Sequence, residues 1–359
     1  MTVTVVSFKY SPGLISQLKA YNYMFSRMGC KTTLLLAEGY RPYFKDFINI
    51  TYGNDYKESL KQTTDIVLLY NIAFDALKLA KECKNRGIEF CYVCHEPWGG
   101  ILEAYKEGDK VLKYIVASIV NMAICYKSEC VLLPSKNAVA SYKKRMLWCN
   151  TNYKLFPLIF CDEYNSVPNQ NRCYFSSIGT FVKAHGCKEF LSFVQYAADN
   201  TTDIKFMIAS RNNIDAYITP RLQQLIGSGR LILHTGKPMT TQEINTYYRQ
   251  SICVWNAYNR STQSGVLPNA FMQGAPVIAN KNGAAKDIFE DGTAGKFIEW
   301  PANNLEIMEK YRIIEKNIQK FSENARDIFL KNYEYSSQID LAYTIFEIEK
   351  TVSERCKQQ

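Results

Sequence analysis

The chain has 359 residues, a length at which two domains are more common than a single core. Hydrophobic residues make up 47% and charged residues 21%, a balance that excludes a disordered chain. The net charge is +9, and residues 1–160 hold most of it, with 21 Lys and Arg against 13 Asp and Glu. This asymmetry favours a membrane surface, a nucleic acid or an acidic substrate as partner of the first half, unless the charge only solubilises the surface.

The cysteine pattern and the apolar runs indicate where in the cell the protein is located. Twelve Cys are scattered along the chain, and the start MTVTVVSF enters a strand pattern rather than a signal peptide. The longest apolar run, YIVASIVNMAIC, has 12 residues, against the roughly 20 that a membrane span needs. We therefore expect a cytoplasmic protein, which can also lie at the inner face of the membrane.

Short apolar runs alternate with helical patterns through the first half of the chain. The predicted strands are VTVVSF, TTLLLA, DIVLLY, IEFCYVC and CVLLP. The predicted helices span residues 14–27, 74–86 and 102–125. This alternation predicts crossover units and a parallel sheet.

After the polar stretch NSVPNQNRC the alternation restarts. The strands are YFSSIG, IKFMIAS, LILHTG, ICVWNA and PVIA, and the helices span 188–198, 216–226, 242–249 and a segment after Gly265. An amphipathic helical tail begins at Asn303. The pattern predicts an α/β fold with two doubly wound, Rossmann-like domains, 1–165 and 166–335, facing across a cleft, and a C-terminal helix, 336–359, that crosses back to the first domain.

Ligands of open parallel sheets bind beyond the carboxyl ends of the strands, so the loops there are candidate sites. Ser11, Pro12 and Gly13 follow the first strand and open a helix, where a glycine lets the backbone approach a phosphate. The same three residues would also be typical of a plain turn that binds no ligand. His95, one of three His, begins the HEP sequence after IEFCYVC, which favours a site over a half-buried structural histidine.

Two loops of the second half are suited to an anion. The sequence IGTFVKAHG offers Lys183 and His185 to a diphosphate, although a surface lysine beside a turn is common. Ser264 and Gly265 begin a helix whose first amides are available to an anion. Asn269, one turn later, is placed to bind hydroxyls of a ribose or sugar.

The surrounding charge supports a metal-free site. Residues 244–286 contain no Asp or Glu, but they contain Arg249, Arg260, Lys281 and Lys286. The three His lie far apart, and neither HExxH nor DxD is present. We therefore expect no metal and no cofactor other than a nucleotide sugar used as substrate.

Together these motifs resemble the GT-B-fold retaining glycosyltransferases of family 4 over nearly the whole chain. The strongest match is SGVLPNAFMQGAPVIANKNGAAKDIFEDGTAGKFI, which is similar to the family's donor motif. HEP resembles the His-Glu-Pro of some mannosyltransferases in the family, whose His lines the reaction centre. Gly13 matches the glycine of the first loop, and IGTFVKAHG resembles a loop that usually reads Gly-Arg-Leu and ends in Lys-Gly.

The sequence also departs from the family pattern. The family's Arg falls on Thr180 and its Lys on His185, with Lys183 available as a substitute. Its paired acids fall on Ser261, or Thr262 in another alignment, and on Asn269. Because an amide binds ribose hydroxyls with neutral hydrogen bonds, the departures imply altered donor selectivity more than lost chemistry.

The resemblance implies a metal-independent, retaining enzyme of the hexosyltransferase type that acts in cell-surface polysaccharide or glycolipid synthesis. It would transfer a sugar from a UDP- or GDP-sugar to a saccharide or lipid-linked acceptor, with His95 as catalytic residue. The residues implied in donor binding are Gly13, Thr180, Lys183, His185, Gly236, Lys237, Arg260, Ser264, Gly265, Val266 and Asn269. The alternatives are a non-catalytic relative that binds a nucleotide sugar or a partner subunit, and a sugar-nucleotide 2-epimerase.

The basic first half suggests where the acceptor is met. The helix AFDALKLAKECKNRG carries Lys78, Lys81 and Arg86, and SYKKRMLW carries Lys143, Lys144 and Arg145 beside Leu147 and Trp148. Basic residues mixed with apolar ones suit attachment to an anionic membrane. A nucleic-acid partner is disfavoured because no binding motif accompanies the charge, and a solvated helix face stays open.

Overall fold

The computed structural model describes residues 1–53, 57, 60, 64–95, 97, 111–146, 152–164, 171–201, 203–259, 264–282 and 284–349, without the side chains of 113, 114 and 145. The chain forms two compact units. The first contains Met1–Cys161 and Tyr333–Gln359, and the second contains Asp162–Asn332.

The first unit has a seven-stranded parallel sheet in the order β3-β2-β1-β4-β5-β6-β7. Its strands are β1 (Thr2–Ser7), β2 (Lys31–Leu36), β3 (Ile50–Tyr52), β4 (Ile66–Leu69), β5 (Glu89–Val93), β6 (Cys130–Leu133) and β7 (Asn152–Leu155). Its first helices are α1 (Ile15–Arg27), α2 (Asp75–Arg86), α3 (Val111–Lys127) and α4 (Lys136–Arg145).

Both faces of this sheet are buried, which explains why its strands read as continuous aliphatic runs. Val5 and Leu34 pack on the side of α1. Val6 and Leu35 point to the opposite side and pack with Leu79 of α2. Alternate residues of one strand thus serve two separate cores.

The second unit has a six-stranded parallel sheet in the order β10-β9-β8-β11-β12-β13. Its strands are β8 (Tyr174–Ile178), β9 (Lys205–Ser210), β10 (Leu231–Thr235), β11 (Ser251–Asn256), β12 (Val277–Asn280) and β13 (Gly295–Ile298). Its helices are α5 (Cys187–Asn200), α6 (Pro220–Gly227), α7 (Thr241–Arg249), α8 (Val266–Met272), α9 (Asn304–Lys316) and α10 (Ile318–Asn332).

The C-terminal segment returns to the first unit. Its helix α11 (Ile339–Ile345) adds Ala342 and Ile345 to the core beside α1. Phe346 packs edge-on against Phe25, with ring centroids 5.0 Å apart, and also contacts Phe156. Burial of these apolar side chains stabilises the return of the chain to this unit.

In each sheet the strand order reverses between the first and the fourth strand, β1 and β4 in one unit and β8 and β11 in the other. The connections diverge to opposite faces at such a point and leave a crevice outside the carboxyl ends of the strands. The segments after β1, β8 and β11 lie at these crevices. They contain Gly13, residues 179–186, residues 257–259 and residues 264–265.

Three further observations apply to the described residues. None of their helices is long and apolar enough to cross a membrane. The ten cysteines that the structure describes are free thiols. No group of three or more His, Cys, Asp or Glu within the described part of the chain is arranged to hold a metal ion.

Candidate functional site

Two glycines bring the loops after β8 and β11 into close contact in the second unit. Gly186 has φ +70, and a Cβ built on it would lie 2.7 Å from the carbonyl oxygen of Ala257. Gly179 has φ +117, and its Cβ would lie 3.2 Å from Cγ2 of Val266. A side chain at Gly186 would therefore force the two loops apart, and only glycine adopts such backbone angles at little cost.

His185 is held in a fixed orientation between these loops. Its Nδ1 lies 2.8 Å from the carbonyl oxygen of Thr180, which can only accept, so Nδ1 carries the hydrogen and Nε2 is the lone-pair nitrogen of the neutral ring. The ring stacks on Tyr258, with centroids 4.1 Å apart and planes 9° apart. The indole Nε1 of Trp255 donates to the carbonyl oxygen of His185 at 3.0 Å.

The charge of this histidine depends on what lies next to it. Burial lowers the pKa of His185, and the bond to the Thr180 carbonyl acts in the opposite direction. The ring is therefore neutral at pH 7 in the free protein. A nearby anion would raise its pKa and turn Nε2 into a charged donor.

The start of α8 is built by side-chain hydrogen bonds. The hydroxyl of Ser264 accepts from Nδ2 of Asn256 at 3.0 Å and from the amide of Val266 at 3.2 Å. Nδ2 of Asn269 donates to the carbonyl oxygen of Gly265 at 2.6 Å. The amide of Val266 thus has an internal partner, while Oδ1 of Asn269 remains an acceptor, as a carboxylate oxygen would be.

The other predicted donor-binding residues of this unit lie at two places along the sheet edge. Thr180 and Lys183 are exposed in the loop after β8, and Lys183 forms no ion pair with any described residue. Gly236, with φ +80, and Lys237 are exposed after β10, the edge strand two positions from β8. Arg260 lies outside the described residues.

Two basic residues of the acid-free stretch have partners away from the loops after β8 and β11. Arg249 ends α7 immediately before β11 begins, so it lies at the amino end of that strand, and it donates to Oε1 of Gln273 at 3.1 Å. Lys281 pairs with Glu299 at 2.6 Å. Arg249 and Lys281 are therefore not assigned to the anion site.

Part of the motif behind the family resemblance is explained by packing. A Cβ on Gly295 would lie 2.3 Å from the carbonyl oxygen of Val277, so β12 and β13 can approach only with glycine there. Gly292 turns the chain with φ +87, and Oδ1 of Asp291 accepts from the amide of Phe297 at 2.7 Å. The Asp-Gly-x-x-Gly sequence is thus a tight turn between two strands.

In the first unit, side chains hold the loop after β1 by hydrogen bonds, and Gly13 in this loop is exposed to solvent. The hydroxyl of Tyr40 accepts from the amide of Ser11 at 3.0 Å and donates to the carbonyl oxygen of Lys9 at 3.1 Å. Nδ2 of Asn71 donates to the same carbonyl oxygen at 2.6 Å. Gly13 is exposed, and a Cβ there would meet no described atom within 4 Å.

His95 follows β5 and is joined to this loop by two residues that sequence patterns did not reveal. Its ring packs edge-on against Tyr70, with centroids 4.8 Å apart, and burial lowers its pKa to about 4. The Tyr70 hydroxyl donates to Oε1 of Gln17, whose Nε2 donates to the carbonyl oxygen of Gly13 at 3.3 Å. The one available signal was a glutamine at a core-facing position of α1, where Gln17 is 3% exposed.

Comparison with solved structures shows which architecture this is. The Anabaena protein HepE in complex with UDP aligns with a TM-score of 0.70 at 13% identity, over 97% of this chain and 100% of that one. The pneumococcal O-GlcNAc transferase GtfA, in complex with UDP and GlcNAc, aligns at 0.68 and 11% identity, over 97% and 99% of the two chains. The chain has the GT-B fold. Sucrose-phosphate synthase from Thermosynechococcus elongatus aligns at 0.65 and 10% identity, over 96% and 98%.

Sequence comparisons add nothing to this structural likeness. No protein-family model matches the chain. No curated protein matches it either. Activity and ligands therefore have to be argued from the site itself.

Proposed function

We propose that this protein is a retaining glycosyltransferase that moves a sugar from a nucleotide diphosphate to a saccharide or lipid-linked acceptor in cell-surface polysaccharide or glycolipid synthesis. The observation that carries the proposal is the contact between the loops after β8 and β11, where Gly186 and Ala257 meet at the strand-order reversal. Solved structures of the same fold include HepE with UDP-glucose. The proposal places the donor at the corresponding crevice of this chain.

The donor's diphosphate is proposed to lie against His185, Lys183 and the amide of Gly265. Since Nδ1 of His185 is committed to the Thr180 carbonyl, the phosphate would be met by Nε2, and its charge would favour the protonated ring. Oδ1 of Asn269 would accept from a ribose hydroxyl. Gly236, with Lys237, would face the base.

Catalysis would rest on stabilising the leaving diphosphate. The bond between the anomeric carbon and the diphosphate oxygen breaks, and the acceptor hydroxyl forms the new glycosidic bond on the same face while its proton passes to the leaving phosphate. Lys183, Arg260 and protonated His185 would supply the positive charge, so no metal is assigned a role. His95, whose pKa is about 4, would act as a neutral hydrogen-bonding group beside the donor sugar.

The test is release of nucleoside diphosphate from a panel of UDP- and GDP-sugars, with and without saccharide acceptors. His95→Ala is expected to abolish turnover while donor binding persists, because the phosphate contacts lie in the other unit. His185→Ala is expected to weaken donor binding instead. Turnover by His95→Ala at the wild-type rate would contradict the role given to His95.

A non-catalytic relative is the second candidate, and a specific observation favours it. The amide of Val266 is engaged by Ser264, and Asn269 stands where the resembled family has an acid, so the site offers fewer groups to a transition state. Such a protein would bind a nucleotide sugar and release no product with any acceptor. A 2-epimerase would instead convert the sugar of the nucleotide, which the same product analysis detects.

We further propose that the first unit contacts an anionic membrane. Two of the predicted basic side chains are engaged in ion pairs, Lys78 with Asp75 at 3.5 Å and Arg86 with Glu82 at 2.8 Å. Lys81 is exposed, and Leu147 and Trp148 lie outside the described residues. The charge on α2 is therefore weaker than the sequence suggested.

Helix α3 adds an apolar contribution to this surface. Leu112, Val116, Ile119 and Tyr126 follow one another at helical spacing and are 75%, 39%, 60% and 68% exposed. Soluble helices usually place polar groups on such a face. Because α2 packs against α3 and carries the exposed Lys81, and Lys127 directly follows Tyr126, an anionic lipid surface fits this apolar face better than a second copy of a basic chain.

A further inference from the structure

The first unit has a cavity that is separate from the loops of the candidate site. Its volume is about 460 Å³, within the range of roughly 300–1,000 Å³ that small-molecule sites occupy. It lies between α1 and residues 43–49, which connect β2 to β3. The lining residues that matter for binding are Tyr23, Tyr43, Phe47, Asn22, Ser26 and Asn49.

Aromatic side chains form the walls of this cavity. Tyr23 is 43% exposed and Tyr43 is 40% exposed, although both are large and have an apolar ring. Tyr23 and Phe47 are neighbours, with ring centroids 5.6 Å apart. Exposed ring faces of this kind suit the apolar C–H face of a pyranose, which leaves its hydroxyls at the rim for hydrogen bonds.

Uncharged hydrogen-bonding groups are placed between the rings. No described residue bonds to the side chains of Asn22, Ser26 or Asn49. The amides of Asn22 and Asn49 and the hydroxyl of Ser26 are therefore available to the hydroxyls of a ligand in the cavity.

The charge of the cavity selects among ligands. Lys19 and Asp46 both line it and contribute one charge of each sign. A site for a phosphate or another anion would carry a positive excess, which is missing among the described lining residues. A neutral, hydroxyl-rich ligand that also has an apolar face therefore fits the lining best.

We propose that this cavity binds one sugar unit of a saccharide chain. The cavity is connected to the loop after β1, because Tyr43 stacks on Tyr10, with centroids 6.1 Å apart, and the two hydroxyls are 3.1 Å apart. Gly39 admits the Tyr10 ring, since a Cβ at position 39 would lie 2.7 Å from it. Tyr10 immediately precedes the segment that carries Gly13.

This connection suggests what the saccharide is for. A chain that occupies the cavity with one sugar can pass Tyr43 and Tyr10 toward the loop of Gly13. The cavity is then a remote subsite for the acceptor, and this second step rests on the proposed glycosyl transfer. It favours an oligomeric or polymeric acceptor over a single sugar.

Saturation-transfer NMR on the full chain detects binding of gluco-, manno- and N-acetylchito-hexasaccharides. Titration of each hexasaccharide that binds then gives its affinity. At least one hexasaccharide is expected to bind, and Tyr23→Ala and Asn49→Ala are expected to weaken it about tenfold. Tyr126→Ala is the matched control, since Tyr126 is an exposed tyrosine of α3 outside the cavity, and it should bind as wild type does.

Ser26→Ala separates binding from folding. Alanine favours the helix and removes only an exposed hydroxyl of α1, so the melting temperature should hold or rise while hexasaccharide affinity falls. The proposal is overturned if no hexasaccharide binds at roughly 10 mM, a concentration above the Kd of weak sites, or if the cavity variants bind as wild type does. Nucleotide sugars titrated into the same samples test the donor site independently, so failure of one proposal is distinguishable from failure of the other.

Discussion

Substitution of Gly186 by alanine should loosen the two loops that form the proposed donor site. Alanine there would have to adopt φ +70, at a cost of about 1–2 kcal/mol. Its Cβ would lie 2.7 Å from the carbonyl oxygen of Ala257 and 3.1 Å from Nε1 of Trp255, so the loops must separate. The hydrogen bond from Trp255 to the carbonyl of His185 then weakens, which adds about 1 kcal/mol. The expected loss in the free energy of unfolding is about 2–3 kcal/mol.

Gly229→Ala is the matched control within the same unit. Gly229 has φ +72, but a Cβ there would meet no described atom within 4 Å, so only the backbone cost of about 1–2 kcal/mol applies. For a unit of this size each kcal/mol corresponds to about 3 °C in melting temperature. Gly186→Ala should therefore melt roughly 6–9 °C below wild type and Gly229→Ala roughly 3–6 °C below.

Scanning calorimetry measures both variants, and isothermal titration with UDP or GDP measures the site. Gly186→Ala should also bind nucleotide more weakly than wild type, whereas Gly229→Ala should bind it equally well. Equal losses of melting temperature in the two variants would refute the argument from loop contact. Unchanged nucleotide affinity in Gly186→Ala would show that these loops do not bind the nucleotide.

Three further predictions follow from individual contacts. His95 has a folded pKa of about 4 against an unfolded value near 6.5, so the stability from its neutral form is complete above pH 6.5 and declines by up to about 1.4 kcal/mol per unit as pH falls toward 4. His95→Gln should therefore flatten the acid limb of a urea-unfolding series, and an unchanged slope would contradict the assigned burial. Asn269→Asp removes the donor to the Gly265 carbonyl and should lower the free energy of unfolding by about 1–3 kcal/mol in chemical denaturation. A variant that is more stable than wild type would contradict this prediction. Ile119→Gln should reduce co-sedimentation of the protein with phosphatidylglycerol vesicles. Leu305→Gln changes a similarly exposed position of α9 and should not reduce it. Equal binding by both variants would show that α3 does not contact the membrane.

Most of the fold could be predicted because the strands of a doubly wound sheet are aliphatic runs with helices between them. The short edge strand Ile50–Tyr52 and the partly exposed Asn152–Leu155 were missed, because a sheet edge needs no continuous apolar run. The helix predicted at 216–226 begins at Pro220, with Thr219 as its cap, and residues 215–217 form a separate 3-10 turn. The cap and the proline were both readable in the sequence.

The site was only partly predictable, since tertiary contacts set its geometry. His95 could be picked out as a polar residue at a strand end, but its link to Gly13 passes through Gln17 and Tyr70, which are 53 residues apart. Arg172 falls in the polar stretch that was read as a linker. Its guanidinium is nevertheless partly buried and donates to the carbonyl oxygens of Ser251 and Gln273 among others, and this burial lowers its pKa to about 10.

The central claim is that the second unit binds a nucleotide sugar through the loops after β8 and β11. The most direct measurement is thermal unfolding of the full chain with UDP, GDP, UDP-sugars and GDP-sugars in buffer containing EDTA, because a ligand of the native state raises its stability by about 2.7 kcal/mol at one hundred times its Kd. We predict that at least one of these ligands raises the melting temperature of wild type by several degrees, and that His185→Ala reduces this shift. A panel in which no nucleotide or nucleotide sugar shifts the transition would contradict the account.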